Sequence, residues 1–157
     1  MSTARRRDTA PELALRRALH AAGLRYRVAY PVPGQRRRTI DVAFTRLQLA
    51  VFVDGCFWHG CPAHGTDPRA NAAWWRAKIS ANQARDRDTD QVLADLGWSV
   101  LRFWEHVPAS DAARIVRDLV PRLRPGAPVY VPASDADALI EERRRGSHVD
   151  GGDADEF

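Results

Sequence analysis

Leu49-Ala50-Val51-Phe52-Val53-Asp54-Gly55-Cys56-Phe57-Trp58-His59-Gly60-Cys61-Pro62-Ala63-His64 passes without a break from a wholly apolar run into a stretch crowded with polar and aromatic groups. Five consecutive apolar residues, Leu49 to Val53, read as a central strand covered on both faces. That strand delivers Asp54 at its end. From Val53 to His64 the chain then presents two cysteines, two histidines, a carboxylate and a Phe-Trp pair. Such a mixture is a working surface rather than a core, a place where metal, acid/base chemistry and a flat ligand can meet.

Upstream, the residues from Thr39 to Phe44 alternate, which predicts a strand with Ile40, Val42 and Phe44 on one face and Thr39, Asp41 and Ala43 on the other. Asp41 and Asp54 would then sit on neighbouring strands. Leu24 to Tyr30 reads as a further short strand, and Pro31-Val32-Pro33-Gly34 turns the chain into Arg36-Arg37-Arg38. Thr9-Ala10-Pro11-Glu12 has the form of a capping box, opening a helix from about Ala10 to Ala22 that Gly23 ends. The box by itself accounts for Glu12, so a site role for that residue competes with a structural one.

Downstream, a long helix is predicted from about Ala72 to Leu96, stopped by Gly97. Asp86 lies seven residues from both Ile79 and Leu93, on the face expected to be buried, and a carboxylate there needs an arginine or a metal. Trp98 to Trp104 reads as another strand, and Ser110 as the cap of a helix reaching about Leu123. The order of helix, three or four strands, long helix, strand and helix predicts an α/β domain of three layers, a sheet flanked by helices, over residues 1–131. Residues 132–157 read as a polar, acidic and largely disordered tail, with a short helix at about Ala138 to Arg145.

A chain of 157 residues with 45% hydrophobic and 28% charged residues is long enough for one full core. No apolar run approaches the roughly 20 residues of a membrane span, and no hydrophobic segment follows the basic N-terminus, so a cytoplasmic protein with no membrane association is expected. The net charge of +4 is unevenly spread: residues 1–130 carry 21 Lys/Arg against 12 Asp/Glu, and residues 131–157 carry 3 against 8. Lys78 is the only lysine. An arginine-rich body suits bidentate phosphate contact and makes nucleic acid the leading partner, against the plainer reading of arginine-rich codon usage.

Cys56, Cys61 and His64 form a C-x4-C-x2-H pattern to which His106 could add a fourth donor. Four N/S ligands make a closed structural zinc site, with no open position for catalytic water. The competing reading is two buried thiols and two surface histidines. Asp41, Asp54 and Asp86 with His59 are the parts needed for phosphodiester hydrolysis: hard carboxylates for Mg²⁺, and an imidazole that can activate water or stabilise charge. Salt bridging to the many arginines would use the same carboxylates. Phe57, Trp58 and Trp75 could wedge between bases, whereas Trp74 and Trp98 fit a core.

Taken together, the chain resembles the very short patch repair endonucleases, the Vsr family of strand-nicking enzymes. The likeness runs from about Met1 to His106. It rests on Arg7-Asp8-Thr9 with Pro11-Glu12, on Ile40-Asp41, on the run from Val53 to Cys61, and on Trp75 with Lys78-Ile79 and Asn82. Arg85-Asp86-Arg87, Gly97-Trp98-Ser99-Val100-Leu101 and Trp104-Glu105 complete it. The resemblance implies a restriction-endonuclease-like fold and an Mg²⁺-dependent nick 5′ to the thymine of a T:G mismatch left by deamination of 5-methylcytosine. It implies that Asp41 binds Mg²⁺ with the Val53 backbone carbonyl, that His59 is the catalytic histidine, and that Asp86 and Glu12 hold metal-bound water. Cys56, Cys61, His64 and His106 would hold structural Zn²⁺, and Phe57, Trp58 and Trp75 would insert into the mismatched duplex.

Family members can carry histidine where this chain has Asp54, which makes Asp54 a second candidate catalytic carboxylate. They can carry cysteine where it has His106, and an N-terminal arm normally extends upstream of the residues matching Met1. A monomer acting in the nucleoid is expected, with repair proteins as candidate further partners. The rival readings are an endonuclease of the same fold with relaxed specificity, and a zinc-stapled DNA-binding module without catalysis.

Overall fold

The computed structural model describes residues 8–56, 61–62 and 70–147. Its elements are α1 (Ala10–Ala21), β1 (Arg27–Val32), β2 (Gln35–Phe44), β3 (Leu49–Asp54), α2 (Ala72–Asp95), β4 (Ser99–Trp104), α3 (Ala109–Leu119), β5 (Tyr130–Val131) and α4 (Ala133–Gly146), with a 3₁₀ turn at Val120–Arg122. The strands lie in the order β1-β2-β3-β4-β5. β1, β2 and β3 form an antiparallel meander, while β3, β4 and β5 run parallel. The parallel pairs need long crossovers, which α2 and α3 supply.

Strand alternation divides the core between two sheet faces. On one, Val42, Phe44, Leu49, Val51, Leu101 and Phe103 pack with Leu15 and Leu19 of α1, Ala112, Ile115 and Val116 of α3, and Ala136 and Ile140 of α4. On the other, Ala43, Ala50, Phe52 and Val100 pack with Leu93 of α2 and with Trp98. This is a mixed five-stranded sheet flanked by helices, as the order of elements predicts. β3 is buried through most of its length, in keeping with its unbroken apolar run.

Four local expectations are corrected. Ile40 does not share a face with Val42 and Phe44, because it joins the α2-side cluster with Ala43. The alternation breaks at Asp41, where the ladder to β3 also ends after Val42↔Val51, and where Ala29 across the β1 pairing adopts φ 47°. Ser110 does not cap α3: Pro108 holds that position and Ser110 falls in the first turn. Thr9 is the N-cap of α1 but its side chain makes no capping bond.

The fourth correction concerns the C-terminal segment. Up to Ser147 it is no tail, since α4 spans Ala133–Gly146 and buries Ala133, Ala136 and Ile140 against the sheet. Composition hid this because the apolar positions are few and their flanks are charged. Arg144 bonds Asp111 of α3 at 2.8 Å and Arg143 pairs with Asp118 at 2.6 Å, so much of that charge faces a neighbour. Ile140→Ala should therefore cost about 2–4 kcal/mol in denaturant unfolding, as for a core position and not for a tail. A change within experimental error would show that α4 is not part of the cooperative unit.

Candidate active site and metal centre

The acidic residues meet at one end of the sheet. β2 carries Asp41 to the point where it leaves β3, and there its Oδ2 accepts the Val53 backbone N–H at 2.9 Å. This bond replaces a ladder bond and aims the carboxyl at the end of β3. Glu12 of α1 is buried, and its Oε2 accepts the Asp8 backbone N–H at 3.0 Å. The reciprocal half of the expected capping box thus reaches Asp8 instead of Thr9. Glu12 and Asp54 lie close enough to Asp41 to repel its ionised form.

Burial raises the pKa of Asp41 to about 7; the Val53 N–H bond works against this, Glu12 and Asp54 add to it, and Arg102 offsets part of it. A carboxyl set among other carboxylates at a strand end offers hard oxygen donors that suit a divalent cation once it is ionised.

Arg102 is the centre of the charged network. It stands in the otherwise apolar β4, only 5% exposed, between the sheet and α2. Its Nη1 donates to Asp54 Oδ1 at 2.8 Å, and its Nε and Nη2 grip Asp90 of α2 at 2.6–3.0 Å. Asp86, one helical turn before Asp90, lies 4.0 Å from Nη1. The guanidinium also sits 4.1 Å from the centroid of the Phe52 ring. Burial alone would lower the Arg102 pKa, but Asp54, Asp90 and Asp86 outweigh it and the net shift is upward.

Asp86 therefore has the arginine partner that its position called for, and remains half-exposed on a cleft of about 520 Å³. Asp54, Asp90, Arg102, Cys61 and Asp137 also line that cleft, so the acidic end and the sulfur-bearing end open into one space.

The second cluster begins just past β3. Cys56 and Cys61 are buried and not joined in a disulfide, and His106, two residues beyond β4, turns Nδ1 toward both, 3.3 Å from Cys56 Sγ and 3.6 Å from Cys61 Sγ. The three donor atoms lie within 4.8 Å of one another. With Zn–S near 2.3 Å and Zn–N near 2.0 Å, a tetrahedral edge measures about 3.5 Å, so this donor set fits a soft ion such as Zn²⁺. The opposite ring nitrogen of His106 is 3.2 Å from Asp137 Oδ2 of α4, an arrangement that fixes the tautomer and leaves Nδ1 for a metal. Glu105 Oε1 accepts the Cys56 backbone N–H at 3.0 Å and ties the loop to β4.

Of the remaining predicted residues, Phe57, Trp58, His59 and His64 lie outside the described residues. Trp75 is half-buried in the first turns of α2 against the exposed Trp74, at a ring-centroid distance of 4.6 Å. It stands eleven residues before Asp86 on the same helix, about 16 Å along the axis. Of the two tryptophans read as core, Trp98 is buried there as expected, whereas Trp74 is corrected: it is 56% exposed on the first turn of α2. Arg102, Asp90 and Asp137 escaped the sequence reading. An arginine inside an apolar strand, and a carboxylate four residues after Asp86, were the available signals for the first two; nothing marked Asp137.

Carboxylates gathered at the strand ends, a buried arginine and a thiol-imidazole cluster, carried on an arginine-rich body, fit the class of a DNA-acting hydrolase. Comparison with known proteins agrees. The family described as DNA mismatch endonuclease Vsr matches residues 1–64. The type II nicking enzyme V.NaeI of Lentzea aerocolonigenes is 43% identical over 129 residues, covering 80% of this chain and 77% of that one. The type II nicking enzyme V.XorIIP of Xanthomonas oryzae pv. oryzae is 39% identical over 107 residues, 67% of this chain and 76% of its own. The DNA mismatch endonuclease Vsr of Escherichia coli K12 is 36% identical over 101 residues, 63% and 62% respectively. The chain belongs to the Vsr family and is a DNA endonuclease.

Two outcomes test this geometry. Asp137→Asn should weaken zinc binding by roughly 10–100-fold in a chelator competition while leaving one equivalent bound at saturation; unchanged affinity would contradict the role of the His106 contact. The Asp41 pKa gives a pH effect of definite sign. Its carboxyl holds a proton in the folded state up to about 7 but releases it near 3.8 when unfolded. Its contribution to stability is therefore greatest below 3.8 and is lost as pH rises through about 7. With zinc bound and Mg²⁺ withheld, wild type should lose more stability over that window than Asp41→Asn; parallel curves would contradict the burial of Asp41.

Proposed function

We propose that this chain nicks one strand of duplex DNA 5′ to the thymine of a T:G mismatch, in an Mg²⁺-dependent reaction that opens very short patch repair. The supporting observation is the Asp41–Val53 junction: a half-buried carboxylate held by the backbone N–H of the strand that ends in Asp54, in a chain related to nicking enzymes and to a mismatch endonuclease. We read the sheet as restriction-endonuclease-like and the thiol-imidazole cluster as structural zinc.

In this reading Asp41 and the Val53 carbonyl hold Mg²⁺, which when bound supplies charge neutralisation at the scissile phosphate and a lowered pKa for water. The chain's own groups do the rest. His59 moves the proton or stabilises the developing charge, and Asp86 and Glu12 orient water from α2 and α1. Asp54, locked to Arg102, sets the field around Asp41. Cys56, Cys61, His106 and His64 hold zinc at the ends of the segment in which Phe57, Trp58 and His59 occur. Those two aromatics, with Trp75, enter the base stack where a mismatch has already weakened it.

The test is cleavage of end-labelled duplexes with and without a T:G mismatch, in Mg²⁺. Wild type should nick only the thymine strand of the mismatched duplex. Asp41→Ala and His59→Ala should each lower the rate by at least 10²-fold, with zinc content unchanged. Equal cutting of matched duplex would favour a relaxed endonuclease, and mismatch binding without cutting by wild type would favour a DNA-binding module.

A further inference from the structure

We propose that the β1–β2 hairpin is a phosphate-gripping arm beside the acidic centre, on which Arg36 and Arg37 hold the backbone of duplex DNA a few nucleotides from Asp41. The inference rests on duplex DNA as the substrate and needs neither the metal nor the mismatch. An acidic centre repels the polyanion it has to cut. Glu12, Asp41, Asp54 and Asp86 gather at the strand ends, and Arg102 among them is taken up by Asp54 and Asp90. Cations on the rim must therefore hold the DNA.

The pairing of the hairpin supplies them. β1 and β2 turn at Pro33-Gly34, where Gly34 takes φ 79°. Val32 pairs with Gln35 and Pro31 with Thr39, so β2 has three residues, Arg36, Arg37 and Arg38, where β1 has none. Residues in such a bulge lack cross-strand partners and are re-aimed out of the ladder. The β2–β3 ladder ends at Val42↔Val51, and the same register carried on would set Thr39 against Asp54, the last residue of β3. The arginines thus lie past the end of β3, on the side where the carboxylates gather. Arg38 turns back to α2, its Nη1 donating to Asp88 and, at 3.2 Å, to Thr89 Oγ1, which fastens the hairpin between Asp86 and Asp90. Arg36 and Arg37 are exposed and have no ion pair or hydrogen bond among the described residues. Arg37 is four residues from Asp41, at most about 14 Å of chain, and each DNA strand presents a phosphate per about 3.4 Å of axis. Two planar guanidiniums on a fastened arm at that reach suit bidentate phosphate contact.

The experiment measures binding of the full chain, with no Mg²⁺ added, to a fluorescein-labelled duplex carrying a T:G mismatch and to its matched counterpart, by anisotropy over salt from about 50 to 200 mM. Arg36→Gln combined with Arg37→Gln should weaken binding to both duplexes alike, roughly 10–100-fold at about 0.1 M salt, and flatten the slope of log K against log salt by about 2. Arg36→Lys combined with Arg37→Lys should keep the slope, because the charge that releases counterions remains. Arg122→Gln removes an exposed arginine beyond α3, at the opposite end of the sheet, and should leave the slope unchanged. An unchanged slope in the double glutamine variant, a loss no larger than that of Arg122→Gln, or a loss confined to the mismatched duplex would overturn the inference. Equal affinity of wild type for the two duplexes would overturn mismatch recognition and not the arm, and failure of wild type to bind either duplex would overturn both.

Discussion

A single buried guanidinium joins the parts of this protein that have to act together. Arg102 stands in β4, but its partners come from the end of β3 and from two successive turns of α2, and its plane rests on the ring of Phe52. Removing one partner from such a network leaves a charge buried and unpaired, at a cost of about 3–5 kcal/mol. The network therefore fixes the packing of α2 on the sheet and, with it, the distance of Asp86 from the strand ends. Burial is the main reason why the Asp41 pKa is raised, and the neighbouring Glu12 and Asp54 add to it.

The thiol-imidazole cluster performs a matching task on the other side of the cleft. Cys56 follows β3 and His106 follows β4, so a metal there would clamp the ends of two parallel neighbours. Asp137 reaches His106 from α4. The C-terminal helix is thereby tied both to the hydrophobic core through Ile140 and to the candidate zinc site through its carboxylate, which explains why so polar a segment belongs to the folded body. A relative matching 80% of the chain at 43% identity places it in a family of DNA endonucleases.

Much of this was legible in the residues. The continuous apolar run of β3, the glycines that stop α1 and α2, and the basic body predict the layers and the class of partner. Asp41, Asp54 and the cysteines were found because polar groups stood where strands end. What escaped had physical causes. Arg102 lies in a strand whose pattern is set by its apolar neighbours, although a charge in that position demands partners. Asp90 carries no signal of its own, because Asp86 one turn earlier already satisfies the helical spacing. The break in alternation at Asp41 depends on the hairpin across from it, with Ala29 in a left-handed conformation, and no local pattern announces that. α4 packs through small residues and a single isoleucine, too weak a stripe to outweigh its charge.

The most direct test is a crystal of the zinc-loaded protein soaked in Mn²⁺, with anomalous scattering recorded separately above the zinc and manganese edges. Zinc is expected between Cys56, Cys61 and His106, and manganese against the Asp41 carboxylate and the Val53 carbonyl. An Asp41 carboxylate without manganese, or a thiol-imidazole cluster without zinc, would contradict the proposed centre.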